Sequence, residues 1–321
     1  MNTQQKTTMT RRENLLRTIR RDSPAFVPYR YDGCLTIVEP AICARPRDGG
    51  LDDWGVKWVD SGTDEGSYPD HVPAMTIEQA DDMTAPATDF ATLTQDLRRQ
   101  VNALKDTDTL MYARNECALF ERPGFLLGHA EYLMACAGYP REIQQMLDVI
   151  ADYQVRLTEA IMSAGVDAVR FTDDWGMQSS LFIHPRQWRE LIKPRLARIY
   201  EVVKRHGGIV FQHSCGCIGE IIPDLIELGL DVIDPCQPQS NDIFAWKREY
   251  GKSLCFMGGL DTQTYLTFGT PSEIKERVTE VLSVMSEGGG YIAAPSHTIT
   301  LPEANRRAML EALDEFNQRG Q

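Results

Sequence analysis

From Asp106 to the end of the chain, short apolar runs alternate with longer stretches of helical periodicity, and this rhythm limits the fold more than any other feature. The runs at 109–113, 167–171, 208–213, 231–234, 253–257 and 290–294 have the β-branched and apolar content of buried strands. Helical patterns at 141–164, 185–206, 218–228, 242–250, 271–286 and 302–317 separate them. Strands joined in this way run parallel, because a helical crossover returns the chain to the starting edge of the sheet. Repetition over roughly 210 residues fits a closed barrel better than an open doubly wound sheet. The predicted class is therefore α/β, a (β/α)8 TIM barrel with an N-terminal helical and irregular extension. No G-x-G-x-x-G follows the first strand and no Walker A lysine motif occurs, which argues against the usual dinucleotide and ATP sites. Gly288-Gly289-Gly290 precedes a strand and reads as a flexible helix-to-strand loop.

Ahead of the rhythm, Thr10-Arg11-Arg12-Glu13 is a capping-box pattern, and Leu15, Leu16 and Ile19 place apolar side chains on one helix face. Ser23-Pro24 ends that helix, and 26–31 reads as a short strand. Residues 34–106 are irregular and rich in Gly, Pro and Asp, with a solvent-side hairpin at 54–59, and are expected to form an insertion or lid within a single barrel domain over 1–321. The tail at 1–10 is polar with no apolar core, so it is no secretory signal and the expected location is cytoplasmic. The most apolar stretch, 124–138, is broken by His129 and Glu131 and falls short of the roughly 20 residues a bilayer requires. No membrane partner is expected. With 33 Lys+Arg against 46 Asp+Glu, the net charge of −13 argues against nucleic acid, whose phosphates need clustered cations.

In a parallel barrel, chemistry gathers at the carboxyl ends of the strands. Those positions hold Tyr29, Arg30 and Tyr31; Tyr112, Arg114, Asn115 and Glu116; Thr172, Asp173, Asp174 and Trp175; His213, Ser214, Cys215 and Cys217; Asp234 and Cys236; Asp261; and Ser296 and His297. His213-Ser214-Cys215 is the sharpest signal, because residues i and i+2 at a strand end face the same side. Imidazole with thiolate suits Zn2+ better than Mg2+ or Ca2+. A buried histidine beside a reduced cysteine is the plain alternative. Cys236 and His297, at other strand ends, are candidates to complete the ligand set. Of Asp173 and Asp174, at most one faces the pocket centre, while the other holds a backbone turn or a ligand histidine; solvated loop charge is their alternative reading. Tyr29, Tyr31, Tyr112, Arg114, Trp175 and Phe211 are the candidate substrate-binding residues, the aromatic ones suited to a flat guest or to barrel packing. Eight cysteines in an acidic chain without a signal read as reduced thiols, with Cys217 a packing residue or one that supports the ligands, and Cys255 in the core. His71, His184 and His206 read as capping or solvated.

The string F-Q-H-S-C-G-C-I-G-E-I-I-P-D-L-I-E-L-G-L-D-V-I-D-P-C-Q at 211–237 is similar to the uroporphyrinogen decarboxylase superfamily. So are F-T-D-D-W-G-M-Q at 171–178, I-K-P-R around Pro194, F-M-G-G-L-D at 256–261 and the last strand with Pro-Ser-His-Thr-Ile. The resemblance runs from about Asn14 to the end, most securely from Asp167. It implies a (β/α)8 barrel and two branches of activity: porphyrin decarboxylases, and zinc-dependent methyltransferases that work with corrinoid proteins. The decarboxylases place several arginines after the first strand, where this chain has Tyr29-Arg30-Tyr31-Asp32-Gly33-Cys34 with a single one. The methyltransferases carry H-x-C and a distant cysteine as zinc ligands; here His297 stands in the place of that cysteine. In the related cobalamin-independent methionine synthases a glutamate near the end of the following strand is a ligand, and Cys236 falls close to that slot.

The resemblance thus implies a zinc-dependent methyltransferase that moves a methyl group from a small methylated substrate, a methoxy-aromatic one by likeness to the demethylases, to the cobalt of a corrinoid (cobalamin) on a partner protein. Zinc held by His213 and Cys215, with Cys236 or His297, would act on the leaving oxygen, and Asp173 or Asp174 would position or supply a proton. The alternatives are thiol methylation from a methylcorrinoid protein, metal-free decarboxylation of a porphyrinogen, and a corrinoid or porphyrin carrier. Association into a homodimer is left open.

Overall fold

The computed structural model describes residues 9–63 and 66–319; most of the polar N-terminal tail, residues 1–8, lies outside them. Ten strands are present among the described residues: β1 (Leu35–Val38), β2 (Gly50–Leu51), β3 (Lys57–Asp60), β4 (Ser67–Pro69), β5 (Leu110–Asn115), β6 (Ala168–Thr172), β7 (Ile209–His213), β8 (Val232–Asp234), β9 (Cys255–Leu260) and β10 (Tyr291–Pro295). The α-helices are α1 (Arg11–Arg20), α2 (Phe90–Leu104), α3 (Glu121–Leu127), α4 (His129–Gly138), α5 (Pro140–Ser163), α6 (Pro185–Leu191), α7 (Lys193–Arg205), α8 (Ile222–Glu227), α9 (Ile243–Tyr250), α10 (Tyr265–Phe268), α11 (Pro271–Met285) and α12 (Glu303–Arg319). Seven strands make up the main sheet in the order β1, β5, β6, β7, β8, β9, β10, and β2, β3 and β4 form a small separate one. This sequential order, with helices between the strands from β5 onward, is that of a TIM-barrel-like α/β fold. Among the described residues no helix is long and apolar enough to cross a membrane.

The chain divides into two compact units. In the first, spanning 9–36, 106–110 and 235–319 of the described residues, β9 and β10 pair in parallel from Phe256↔Tyr291 to Leu260↔Pro295. Helices α11 and α12 pack together there, and the capping box of Thr270 with Glu273 starts α11. Thr10 likewise caps α1 by accepting from the Glu13 N–H at 3.1 Å.

An eighth strand expected at 26–31 is reduced to one parallel bridge, Tyr29↔Ala293. Two causes are visible. Pro28 has no N–H to donate to a ladder, and the backbone of Val27 is taken by the Asn317 side chain, which accepts its N–H at 2.9 Å and donates to its carbonyl at 3.1 Å. What remains is Ala293 N–H to the Pro28 carbonyl and Arg30 N–H to the Ala293 carbonyl.

The second unit, Ile37–Lys105 with Met111–Asp234, contains β5 to β8 in parallel register, with Thr172↔His213 and His213↔Asp234 level at the carboxyl edge. The long α5 buries Ile143, Met146, Leu147, Ile150, Leu157 and Ile161 on one side and packs on α2 and α7. The predicted helix at 185–206 is split at Ile192, since Pro194 cannot donate within the next turn. The 34–106 segment is more ordered than its composition suggests: β1 enters the main sheet, β2 to β4 make an antiparallel sheet, and Trp58 is buried where a solvent-side hairpin was expected.

Candidate metal centre

Three side chains of the second unit converge. Asp174, His213 and Cys215 each offer one ligand atom, and those atoms all lie within 4.8 Å of one another. His213 is the last residue of β7, and Cys215 lies two residues beyond it, so the strand's twofold alternation sends both to the same side. The His213 Nε2 is 3.5 Å from the Cys215 Sγ and 3.7 Å from the Asp174 Oδ1. Asp174 Oδ1 also accepts the Cys215 backbone N–H at 2.8 Å, which ties the loop after β6 to the loop after β7.

Glycine makes that tie feasible. Gly216 has φ 79°, and a Cβ on it would overlap the backbone of Gly176; a Cβ on Gly176 would lie 2.6 Å from the Cys217 nitrogen. Cys217 N–H donates to the Met177 carbonyl at 2.7 Å, and Trp175 N–H to the Ser214 hydroxyl at 3.0 Å. The two loops therefore lie backbone to backbone, with the Cys217 side chain half-buried.

Behind the triad, the His213 Nδ1 is 2.6 Å from Asp234 Oδ1. Asp234 is completely buried and receives Arg170 through both Nε (2.9 Å) and a terminal nitrogen (2.6 Å). Burial would raise the Asp234 carboxyl, but the Arg170 and His213 charges outweigh it and hold it well below the usual range. Burial is also the largest influence on the Cys215 thiol, which it pushes up together with the charges of Asp174, Asp234 and Glu121.

Asp173 faces away from this group. Its carboxylate accepts from the backbone N–H of Phe120 (2.7 Å) and Glu121 (2.8 Å) and from the Trp175 indole (3.1 Å), holding the start of α3. Burial raises it to about 6 against the lowering effect of these donors. Glu121 itself was not foreseen. Its carboxyl is driven well above the usual range by burial, then by the charges of Asp174 and Asp173.

The other candidates are placed as follows. Cys236 is buried with φ 52°, and His297 is exposed with Nδ1 3.3 Å from the Thr298 carbonyl; both belong to the first unit, and neither is in the group of three. Tyr112 and Phe211 are buried and stacked at 6.2 Å. Trp175 is buried edge-on against Trp188 at 5.4 Å. Arg114 pairs with Glu39 at 2.8 Å and Glu116 at 3.3 Å. Tyr29 and Tyr31, in the first unit, meet edge to face at 5.5 Å, with Tyr31 exposed. Asp234 stood among the strand-end residues without a role of its own, and Arg170 was missed because a mid-strand arginine carries no motif; an arginine in the otherwise apolar β6 run was the available signal.

A carboxylate, an imidazole and a thiol brought this close are a donor set that fits zinc, with three protein ligands leaving a position open for a reactant. Cys215 among hostile charges gains most from such a cation, which holds a coordinating thiol as thiolate.

The chain matches the model of the family described as uroporphyrinogen decarboxylase (URO-D) over residues 65–316. It is 24% identical over 186 residues to the uroporphyrinogen decarboxylase of Hydrogenovibrio crunogenus, covering 56% of this chain and 49% of that protein. It is 23% identical over 175 residues to the methylcobamide:CoM methyltransferase MtaA of Methanosarcina barkeri, covering 54% and 49%. The matches thus span about half the length of these curated relatives. Among solved structures, a methyltransferase from Methanosarcina mazei superposes with a TM-score of 0.72 at 17% identity, over 96% of this chain and 99% of the other. With its family model matched from the small sheet to the last helix, the chain belongs to the uroporphyrinogen decarboxylase family.

Proposed function

We propose that this chain is a zinc-dependent methyltransferase that moves a methyl group between a small substrate and the cobalt of a corrinoid carried by a partner protein. The observation that carries this reading is the convergence of Asp174, His213 and Cys215. The likeness to a methylcobamide:CoM methyltransferase supports it. Asp174, His213 and Cys215 would hold the zinc, which would supply Lewis acidity to a substrate sulfur or oxygen.

The chain's own residues divide the remaining work. Asp173 fixes the backbone that carries Glu121, and burial first, then the Asp174 and Asp173 charges, drive the Glu121 carboxyl well above the usual range, which suits it to hold a proton. Glu121 thereby takes the proton-holding role assigned from the sequence to Asp173 or Asp174. Cys236 and His297 have no part in the triad.

Two directions of transfer follow from different observations. Methylation of a thiol is favoured by the name of the Methanosarcina barkeri relative. Demethylation of a methoxy-aromatic donor rests on the likeness to the demethylases, on His297 standing where the thiol-methylating pattern has a cysteine, and on the aromatic candidates, of which Tyr112, Trp175 and Phe211 are buried and Tyr29 and Tyr31 meet edge to face. The test is zinc analysis of the purified protein and of Cys215→Ala, followed by methyl transfer from methylcobalamin to CoM and from a methoxy-arene to cob(I)alamin. Near-stoichiometric zinc that disappears in the variant, with transfer in one direction, is the expected result. Wild-type protein without zinc and without transfer overturns the reading.

A further inference from the structure

We propose that Arg170 and Asp234 are positioning residues that fix the tautomer and rotation of the His213 ring, so that Nε2 alone is presented to Asp174 and Cys215. This rests on reading those three residues as a metal centre. An ionised carboxylate only accepts hydrogen bonds. With Asp234 Oδ1 2.6 Å from Nδ1, the Nδ1 side of the ring carries a proton toward Asp234, and Nε2 is the nitrogen that faces the Cys215 Sγ and Asp174 Oδ1.

The carboxylate is itself immobilised. Arg170 grips Oδ2 with Nε and Oδ1 with a terminal nitrogen, and a two-point fork fixes the plane of a carboxylate as well as its position. Full burial of Asp234 keeps water from competing for either oxygen. Backbone register completes the alignment: His213 and Asp234 are partners across β7 and β8, and Ser214 N–H donates to the Asp234 carbonyl at 3.0 Å. Arg170 lies two residues before Thr172, the His213 partner on β6, so its side chain reaches past β7 to a residue on β8. Oδ1 of Asp234 is shared between His213 and Arg170, and Oδ2 goes to Arg170, which makes this carboxylate the holder of a ligand. The arrangement matches the general pattern in which a ligating histidine gives its second ring nitrogen to a carboxylate.

The experiment has two readouts. The first is the 15N spectrum of the His213 ring in the metal-free wild-type protein. A proton on Nδ1 is expected, and a bare Nδ1 with the proton on Nε2 overturns the proposal. The second is zinc affinity by chelator competition, with the visible spectrum of the Co2+-loaded protein, for wild type, Asp234→Asn and Arg170→Lys. Each variant should bind zinc about ten- to a hundredfold more weakly, with altered Co2+ bands, and Asp234→Glu should recover part of the loss. Wild-type affinity and bands in a folded Asp234→Asn chain overturn it. Should Asp234→Asn not fold, Arg170→Lys and the wild-type ring spectrum decide. Absence of zinc from wild type would defeat the metal-centre reading while the ring spectrum still judged the tautomer, so the two failures are distinguishable.

Discussion

Two buried arginine–aspartate pairs lie in the same unit of this protein and do different things. Arg122 and Asp52 are joined at 2.5 Å with side chains 1% and 0% exposed. The rest of the Asp52 carboxylate goes to the Trp54 and Val56 backbone N–H groups and the Trp58 indole. Arg122 also reaches the Ala44 carbonyl and lies between the Trp54 and Phe125 rings. Apart from Ala44, which precedes β2, the partners of this pair lie in the hairpin from β2 through β3 or in α3, so its work is to hold the small sheet onto α3. Arg170 and Asp234 are buried too, but their carboxylate also reaches an imidazole whose other nitrogen faces a thiol and a carboxylate. A buried ion pair gains little net stability over apolar packing. What distinguishes the two is where the spare acceptor points.

The comparison breaks most readily at the ligands. Replacing His213 or Cys215 by Ala should abolish bound zinc while circular dichroism stays that of the wild type, because both side chains sit at the strand edge; unfolding of both variants would place them in the structural class with Asp52. Next in size, Asp52→Ala should lower unfolding free energy by about 3–5 kcal/mol, since it strands a buried guanidinium. Zinc per folded chain should be unchanged in denaturant titrations read alongside metal analysis. Loss of zinc in folded Asp52→Ala would show that the small sheet also serves the centre.

Gly216→Ala sharpens the contrast from the backbone side. It sets a Cβ against the Gly176 backbone at a positive φ, with an expected cost of about 1–3 kcal/mol and weaker zinc binding, because it parts Cys215 from Asp174. Equal zinc affinity in competition with a chelator would mean that the loops yield without moving the ligands. The smallest effect is expected for Cys255→Ala, at the buried start of β9 in the first unit. About 1 kcal/mol of lost packing and no change in zinc should be seen by thermal melting and metal analysis.

Periodicity and local chemistry made much of this molecule readable. The six strands from β5 onward lie within a few residues of the apolar runs that announced them, and Thr10, His184 and Thr270 cap helices through their own side chains. His213 and Cys215 could be paired from spacing alone, because i and i+2 on a strand end share a side. Such facts need only neighbours in the chain.

Contacts between distant residues were decided by the tertiary structure. Asn317 captures Val27 across 290 positions and reduces a strand to a bridge. Asp173 and Asp174 are adjacent, yet one turns to the α3 backbone and the other to Cys215. Arg170 finds Asp234 across 64 positions through the register of three parallel strands. Single-sequence patterns report which face a residue occupies; which partner meets it there depends on how strands are ordered and staggered, and only the folded backbone sets that order.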